Sequence, residues 1–467
     1  MNSYCQKTDK KLHAYLAQIP SVEEVLQQKE LKLMHKRYSK KMITPLIRII
    51  LEKERKNIMQ GSAPVTLKTI VQKCILLIEK EFQSFLRPVI NGTGVILHTN
   101  LGRAAIGNKL IDELAESLKG FTNLEYDLFM GKRGKRGEFV EKMLAVYTQA
   151  ESAIILNNNA AAVFLILKTL AHGKEVIISR GELVQIGGGF RIPDILSESG
   201  AILKEVGSTN QTNINDYQQS INENTALLLK VHQSNFSMNG FTQSVSLKQL
   251  KDLGKKYQLP VVVDLGSGTF LPTEQFNLVH EPMVQEMVRG GADLVCFSAD
   301  KLLGGPQGGI ICGKKESLDR IRTHPMYRTF RVGKMTLFTL QSCLLLYLQG
   351  RALEDLPGWQ MISMPYRVIK RRCDSLARRL KRRGIEVSCK EGVSLVGGGS
   401  LPGKTLPTRL LQLMSSKSII EVDRRLRLSY PSVLGRIKDD HLIFDPRTIE
   451  PHYDKQFIAL ICSAFCH

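Results

Sequence analysis

Phe297-Ser-Ala-Asp-Lys-Leu-Leu-Gly-Gly-Pro-Gln-Gly-Gly309 decides the fold. An apolar run from Ala292 to Phe297, broken by one Asp, leads into Lys301. Two glycine pairs follow, and a second apolar run, Ile310-Ile-Cys312, begins at once. The pattern predicts strand, glycine-rich turn, strand. A lysine at a strand end among glycines is either an exposed turn residue or a buried amine. Chemistry that joins an amine to a carbonyl requires the second, because the amine must shed its proton. Desolvation and cationic neighbours favour that loss.

Upstream, short apolar runs alternate with helix-like segments. Strands are predicted at Ser152 to Leu156, Glu175 to Ser179, Ala201 to Leu203, Ala226 to Val231 and Val261 to Val263. Helices are predicted at Val163 to Leu170 and Leu247 to Tyr257. Such alternation indicates a largely parallel sheet in a three-layer α/β domain. Asn157-Asn-Asn-Ala-Ala-Ala162 turns from a strand into a helix. Its small residues leave backbone N–H groups aligned for a phosphate. No Gly-x-x-x-x-Gly-Lys-Ser/Thr occurs, and no Gly-x-Gly-x-x-Gly follows a strand. Both nucleoside triphosphate and dinucleotide readings are therefore poor. Asp264, in Asp264-Leu-Gly-Ser-Gly268, ends its strand as either a ligand group or a cap. Together a strand-end Lys, a strand-end Asp and a helix-start phosphate site suit pyridoxal 5′-phosphate. Lys301 would hold the aldehyde, Asp264 would pair with the ring nitrogen, and the helix start would take the phosphate.

A chain of 467 residues has room for two or three domains. Its 65 Lys+Arg against 44 Asp+Glu give a net charge of +21. That excess points to a polyanionic partner, nucleic acid before membrane. No apolar run is long enough to span a bilayer. The region Thr336 to Gly350 comes nearest but is broken by Thr and Gln, and reads as a buried helix. Met1 to Lys10 lacks the apolar segment of a signal peptide. Nine cysteines without a Cys-x-x-Cys pair suggest reduced thiols in a cytoplasmic protein, not disulfides or zinc.

Residues 1–86 read as helical and carry sixteen Lys+Arg against eight Asp+Glu. Apolar residues recur at helical spacing in Leu26, Leu31 and Met34, and in Leu67, Ile70, Val71, Ile75 and Leu76. The charge is either a solvated face or a grip on RNA phosphates. Between Arg87 and Arg103, two apolar runs flank Asn91-Gly-Thr-Gly94. The loop that follows is a connector or presents Asn100 and Arg103 to an anion. Arg328 and Arg331 stand three apart, a spacing that on a helix lets both face one anion. From about residue 356 a smaller α+β region is expected. It contains a basic helix from Tyr366 to Arg383 over an apolar stripe of Val368, Ile369, Leu376 and Leu380. Short strands and turns are expected around Val396 to Leu401 and Leu434 to Asp440.

The chain resembles bacterial selenocysteine synthase, the L-seryl-tRNA(Sec) selenium transferase family. The matching stretches run from Arg87-Pro-Val-Ile-Asn and His98-Thr-Asn-Leu-Gly-Arg103 through Leu124-Glu-Tyr-Asp127, Asn157-Asn-Asn-Ala-Ala-Ala-Val163 and Ser179-Arg-Gly-Glu-Leu183. They continue through Leu229-Lys-Val-His232, Asp264 to Gly268 and Asp300-Lys-Leu-Leu-Gly-Gly-Pro-Gln307. The resemblance covers almost the whole length. It implies a fold-type I pyridoxal-phosphate transferase of aspartate-aminotransferase-like α/β fold. It further implies a tRNA-binding domain at 1–86, a cofactor domain at 87–355 and a small α+β domain at 356–467. The implied reaction turns L-seryl-tRNA(Sec) into L-selenocysteinyl-tRNA(Sec) with selenophosphate, through an aminoacrylyl intermediate. By the resemblance Lys301 carries pyridoxal 5′-phosphate, and Asp264, Asn159, Ala160, Ala161 and His232 line it. Arg103, Arg328 and Arg331 hold selenophosphate. A homo-oligomer built from dimers, with a decamer as the candidate size, is also implied. The sequence departs from the family pattern at Gln185, Ala299 and Gly333, where Glu, Gly and Asp are usual, and at Gly137, which replaces a bulkier residue. Two other readings stay open: a related lyase acting on a small amino acid or amino sugar acid, and a non-catalytic tRNA-binding protein. Neither accounts for both the basic N-terminal segment and the set around Lys301.

Overall fold

A computed structural model describes residues 12–82, 85–186, 189–414 and 418–466. The stretch Met1 to Lys10, expected to lack a signal peptide, lies outside them. The chain forms two compact units, Met1–Pro88 and Val89–His467.

The first unit is helical, with helices Val22–Leu26, Lys29–Tyr38, Lys40–Met59 and Leu67–Glu81. Ser21 starts the first: its hydroxyl accepts the Glu24 N–H, and the Glu24 carboxylate accepts the Ser21 N–H. The expected break at Gly61 to Pro64 separates the last two. Val25, Leu31, Ile43, Ile47, Ile70, Cys74 and Ile78 are fully buried and form its core. Leu76, read as part of the apolar face, is exposed instead.

The second unit is built on a seven-stranded sheet. Its order is 152–156, 309–313, 294–298, 261–266, 225–231, 175–179, 202–206. All neighbours are parallel except Gly309–Gly313, which runs antiparallel to both Leu294–Ser298 and Ser152–Leu156. The central strands are buried on both faces. This is why they read as continuous apolar runs, not as alternation. Helices pack on both sides, among them Asn159–Leu170 and the buried Lys334–Leu348.

The C-terminal residues supply four strands of a five-stranded sheet around a long hairpin, Val387–Gly397 with Thr405–Leu413; Val95–Leu97 is the fifth. Short strands were expected near Val396. The hairpin is longer because Lys390 to Val393 sit at a solvated stretch, where no apolar pattern marks a strand. Val95–Leu97 pairs with its edge, and Val89–Asn91 pairs with Ser432–Leu434. Both ends of the unit thus share one core. The basic helix spans Tyr366–Lys381 and buries Ile369, Cys373, Leu376, Ala377 and Leu380. Val368, expected in that stripe, is exposed.

Candidate active site

The parallel strands deliver their C-terminal ends to one edge of the sheet, where ligands of open α/β sheets bind. Leu156 leads there to the Asn157–Asn159 turn, Val231 to His232, and Ser298 to Lys301. The reversed strand starts at the same edge, with Gly309 opposite both Ser298 and Leu156. A Cβ at Gly309 would lie 2.0 Å from the Asn158 carbonyl oxygen, so only glycine fits this approach.

Lys301 is 4% exposed and Asp264 5%. The Lys301 turn is held by Leu302 N–H on Ser267 O at 3.1 Å and Gly304 N–H on Lys301 O at 2.9 Å. Gly399, at the end of the C-terminal hairpin, presses on the lysine. A Cβ there would lie 2.9 Å from Lys301 Cε and 3.1 Å from Nζ. Burial lowers the Lys301 pKa from its ordinary value; Asp264 opposes this and Arg103 adds to it. Burial raises the Asp264 pKa, while the Asn159 hydrogen bond and Lys301 pull it back. The amine is therefore eased toward its neutral, nucleophilic form beside a carboxyl that a cationic partner would ionise.

Asn159 Nδ2 donates to Asp264 Oδ1 at 2.7 Å. Asn158 caps the helix, its Oδ1 accepting the Ala161 N–H at 2.8 Å. The first amides, at Asn159 and Ala160, are those a helix start leaves without an intrahelical acceptor. His232 donates its backbone N–H to Asp264 O at 2.8 Å, and its Nε2 lies 3.2 Å from Glu281 Oε1. Arg103, in the left-handed region at φ 61°, reaches Asp300 Oδ2 at 2.7 Å.

Arg328 and Arg331 do not share a helix, contrary to the expectation from their spacing. The helix Pro325–Thr329 is a single turn and ends before Arg331. Arg331 pairs instead as an isolated bridge with Leu156, and the Asn157 N–H donates to Phe330 O at 3.0 Å. Its side chain binds Glu125 Oε1 at 2.5 Å. Arg136 foremost, with Arg133 and Arg331, holds the Glu125 carboxyl down at about 2. Arg328 is exposed. The structure thus joins the buried Lys301 and Asp264 with the half-buried Asn159, His232 and Arg103 and ties Arg331 beside them, while Arg328 is exposed.

Sequence reasoning gave no role to Glu281, Ser267, Asp300, Glu125 or Gly399. Asp300, Glu125 and Ser267 lie in motifs that carry the family resemblance, and Gly399 lies in the expected turn region at 396–401; Glu281 had no signal. Among the described residues, Asn159 Oδ1 and Arg103 Nε of this set and the neighbouring Ser267 Oγ are buried without a hydrogen-bond partner. Buried polar groups are ordinarily satisfied. Orphans next to a buried lysine and carboxylate fit a polar, anionic ligand such as pyridoxal phosphate.

Residues 89–450 match the family model of SelA, L-seryl-tRNA selenium transferase. The chain belongs to this family. It is 44% identical to the L-seryl-tRNA(Sec) selenium transferase of Carboxydothermus hydrogenoformans, over 94% of this chain and 95% of that one. To the enzyme of the same name from Aquifex aeolicus it is 43% identical, over 94% and 96%. Among solved structures, D-glucosaminate-6-phosphate ammonia-lyase aligns with TM-score 0.56 and 19% identity, over 84% of this chain and 99% of that one. That likeness is one of fold, and the fold is the fold-type I α/β architecture expected for the transferase family. Among the described residues no helix is long and apolar enough to cross a membrane.

Proposed function

We propose that this chain converts L-seryl-tRNA(Sec) to L-selenocysteinyl-tRNA(Sec) with selenophosphate, using pyridoxal phosphate. The observation that carries the reading is the buried Lys301 facing a buried Asp264 that Asn159 holds in place. When bound, the cofactor supplies an electron sink for the serine α-carbon. Lys301 would anchor it through its amine and, once freed, would take the α-proton and return it. Asp264 would accept the ring N–H and keep that nitrogen cationic; Asn159 orients Asp264. The turn at Asn159, Ala160 and Ala161 receives the phosphate, and His232 lines the ring. Arg103, Arg328 and Arg331 hold selenophosphate while the serine hydroxyl leaves Cβ as water, selenium bonds to Cβ in its place, and the Se–P bond breaks to water, releasing phosphate. Guanidinium forks match phosphate oxygens and stay charged at any working pH.

The tRNA is assigned to the basic helical residues 1–86, the cofactor to 87–355, and residues 356–467 form the small domain. The excess of cations over anions in 1–86 supports the first assignment. Copies of the chain associate as dimers and larger rings in the cytoplasm, where aminoacyl-tRNA is used. Exposed Leu128 and Phe139, lining one groove, support such association because a second copy would bury them. The test is borohydride reduction of the protein loaded with pyridoxal phosphate, followed by peptide mapping, alongside assay of selenocysteinyl-tRNA. Label on Lys301 and product formation are expected. Label on another lysine, or no product from seryl-tRNA(Sec) and selenophosphate, overturns the reading.

A further inference from the structure

The segment from Tyr366 to Arg383 carries nine Lys or Arg and one Asp. Its helix packs Ile369, Leu376 and Leu380 onto the long C-terminal hairpin. The opposite stripe is Arg367, Lys370, Arg371, Arg378, Lys381 and Arg382, all exposed. Spacings of three, four and seven put them in one row. Among the described residues none of the six makes an ion pair. Arg372, off the row, binds Asp454 at 2.5 Å, and the helix's one acid, Asp374, lies 3.9 Å from Arg409. Lys370 acts on the Glu391 carboxylate at longer range, and Asp374 itself stands within the row, four residues from both Lys370 and Arg378.

Local stability does not account for this row. In the nearby helix Ile419–Leu428, Arg424 and Arg425 pair with Glu421, and Arg427 with Asp423. The basic helix instead sets like charges four apart, Arg367 with Arg371 and Arg378 with Arg382, which repel. Arg367, Lys370 and Arg371 also stand near its N-terminus, where the helix dipole disfavours cations, and its first turn holds no acid. A polyanion laid along the row would relieve both effects.

We infer that this row is a second RNA-contact surface, gripping the phosphodiester backbone of the tRNA substrate. It rests on the substrate reading given above. The hairpin beneath the helix ends at Gly399 against Lys301. Its eleven-residue strand Val387–Gly397 spans roughly 35 Å at 3.3 Å per residue. An RNA whose charged end lies at Lys301 can therefore reach the helix.

The experiment measures binding of unacylated tRNA(Sec) transcript to the full chain across a salt series. The triple variant Arg367→Gln, Arg371→Gln, Arg378→Gln is compared with Lys248→Gln, Lys255→Gln, Lys256→Gln, an equal charge loss on the exposed face of another helix. The first variant should bind at least about tenfold more weakly at moderate salt, with a log–log salt slope shallower by about 3. The control and the triple Arg→Lys variant at 367, 371 and 378 should bind like the parent. Equal loss in the control, or an unchanged slope in the first variant, overturns the inference. So does loss of binding to phosphatidylserine vesicles with tRNA binding intact, which would assign the row to a membrane. A parent chain that does not bind the transcript would instead bring down the substrate reading itself.

Discussion

The side-chain amide of Asn159 donates a 2.7 Å hydrogen bond to the carboxylate of Asp264, across 105 residues of chain. It joins the turn after one strand to the end of another, and it opposes the upward push of burial on Asp264. Asn159→Ala should raise the Asp264 pKa further above its unfolded value of 3.8. A carboxyl raised on folding contributes fully below its unfolded pKa, and that contribution is lost as pH rises through the folded value. Without cofactor, the variant should therefore lose more stability relative to the parent at pH 8 than at pH 4. The loss at the higher pH should be about 1.5–3 kcal/mol, the worth of a hydrogen bond to a charged group. Melting curves at both pH values decide it; equal losses would show that the amide does not tune Asp264.

Gly399→Ala should act on Lys301. The site lies at φ 82°, and the new Cβ would meet Lys301 Cε at 2.9 Å. Left-handed backbone costs an alanine about 1–2 kcal/mol. Displacement of the amine adds a loss of cofactor occupancy, read as visible absorbance per chain. A variant that loses stability yet keeps full occupancy would refute the contact with the lysine.

Glu125 is held down to about 2 from 4.5. The sign is opposite to that of Asp264: its contribution is present above 4.5 and lost as pH falls through about 2. Glu125→Gln should therefore unfold at lower urea concentration at pH 7. The gap from the parent should hold down to about pH 4.5 and close toward pH 2. A gap independent of pH across that window would rule out the ionised clamp.

Arg328→Ala and Arg331→Ala should spare loss of water from the serine and raise the selenophosphate concentration needed for turnover. Losing one charge-assisted contact costs on the order of 1.5–3 kcal/mol, about tenfold to over a hundredfold in affinity. The effect should be larger at 331, whose backbone is tied to Leu156 beside the phosphate turn. Normal donor dependence in either variant removes that residue from the selenophosphate site.

Much of the site was legible because both faces of the central sheet are covered. The central strands are apolar runs, and two polar residues stand out: Asp264, inside the strand Val261–Gly266 that the pattern ended at 264, and Lys301, just past Leu294–Ser298. What was hidden depends on direction and distance. Gly309–Gly313 reads the same parallel or antiparallel. Arg331 has helical spacing from Arg328, but a helix started by Pro325 ends after five residues. Glu281 and Gly399 reach the site through tertiary folding that leaves no local pattern.

The reversed strand acts as a ruler. Because the chain doubles back between Ser298 and Gly309, Lys301 and Asn158 are joined through a hairpin of fixed length. One residue removed between 302 and 308 would pull that strand's register along by one. Ile310 would then stand where Gly309 now meets Asn158, with 2.0 Å of room for a Cβ. This turn therefore cannot be shortened.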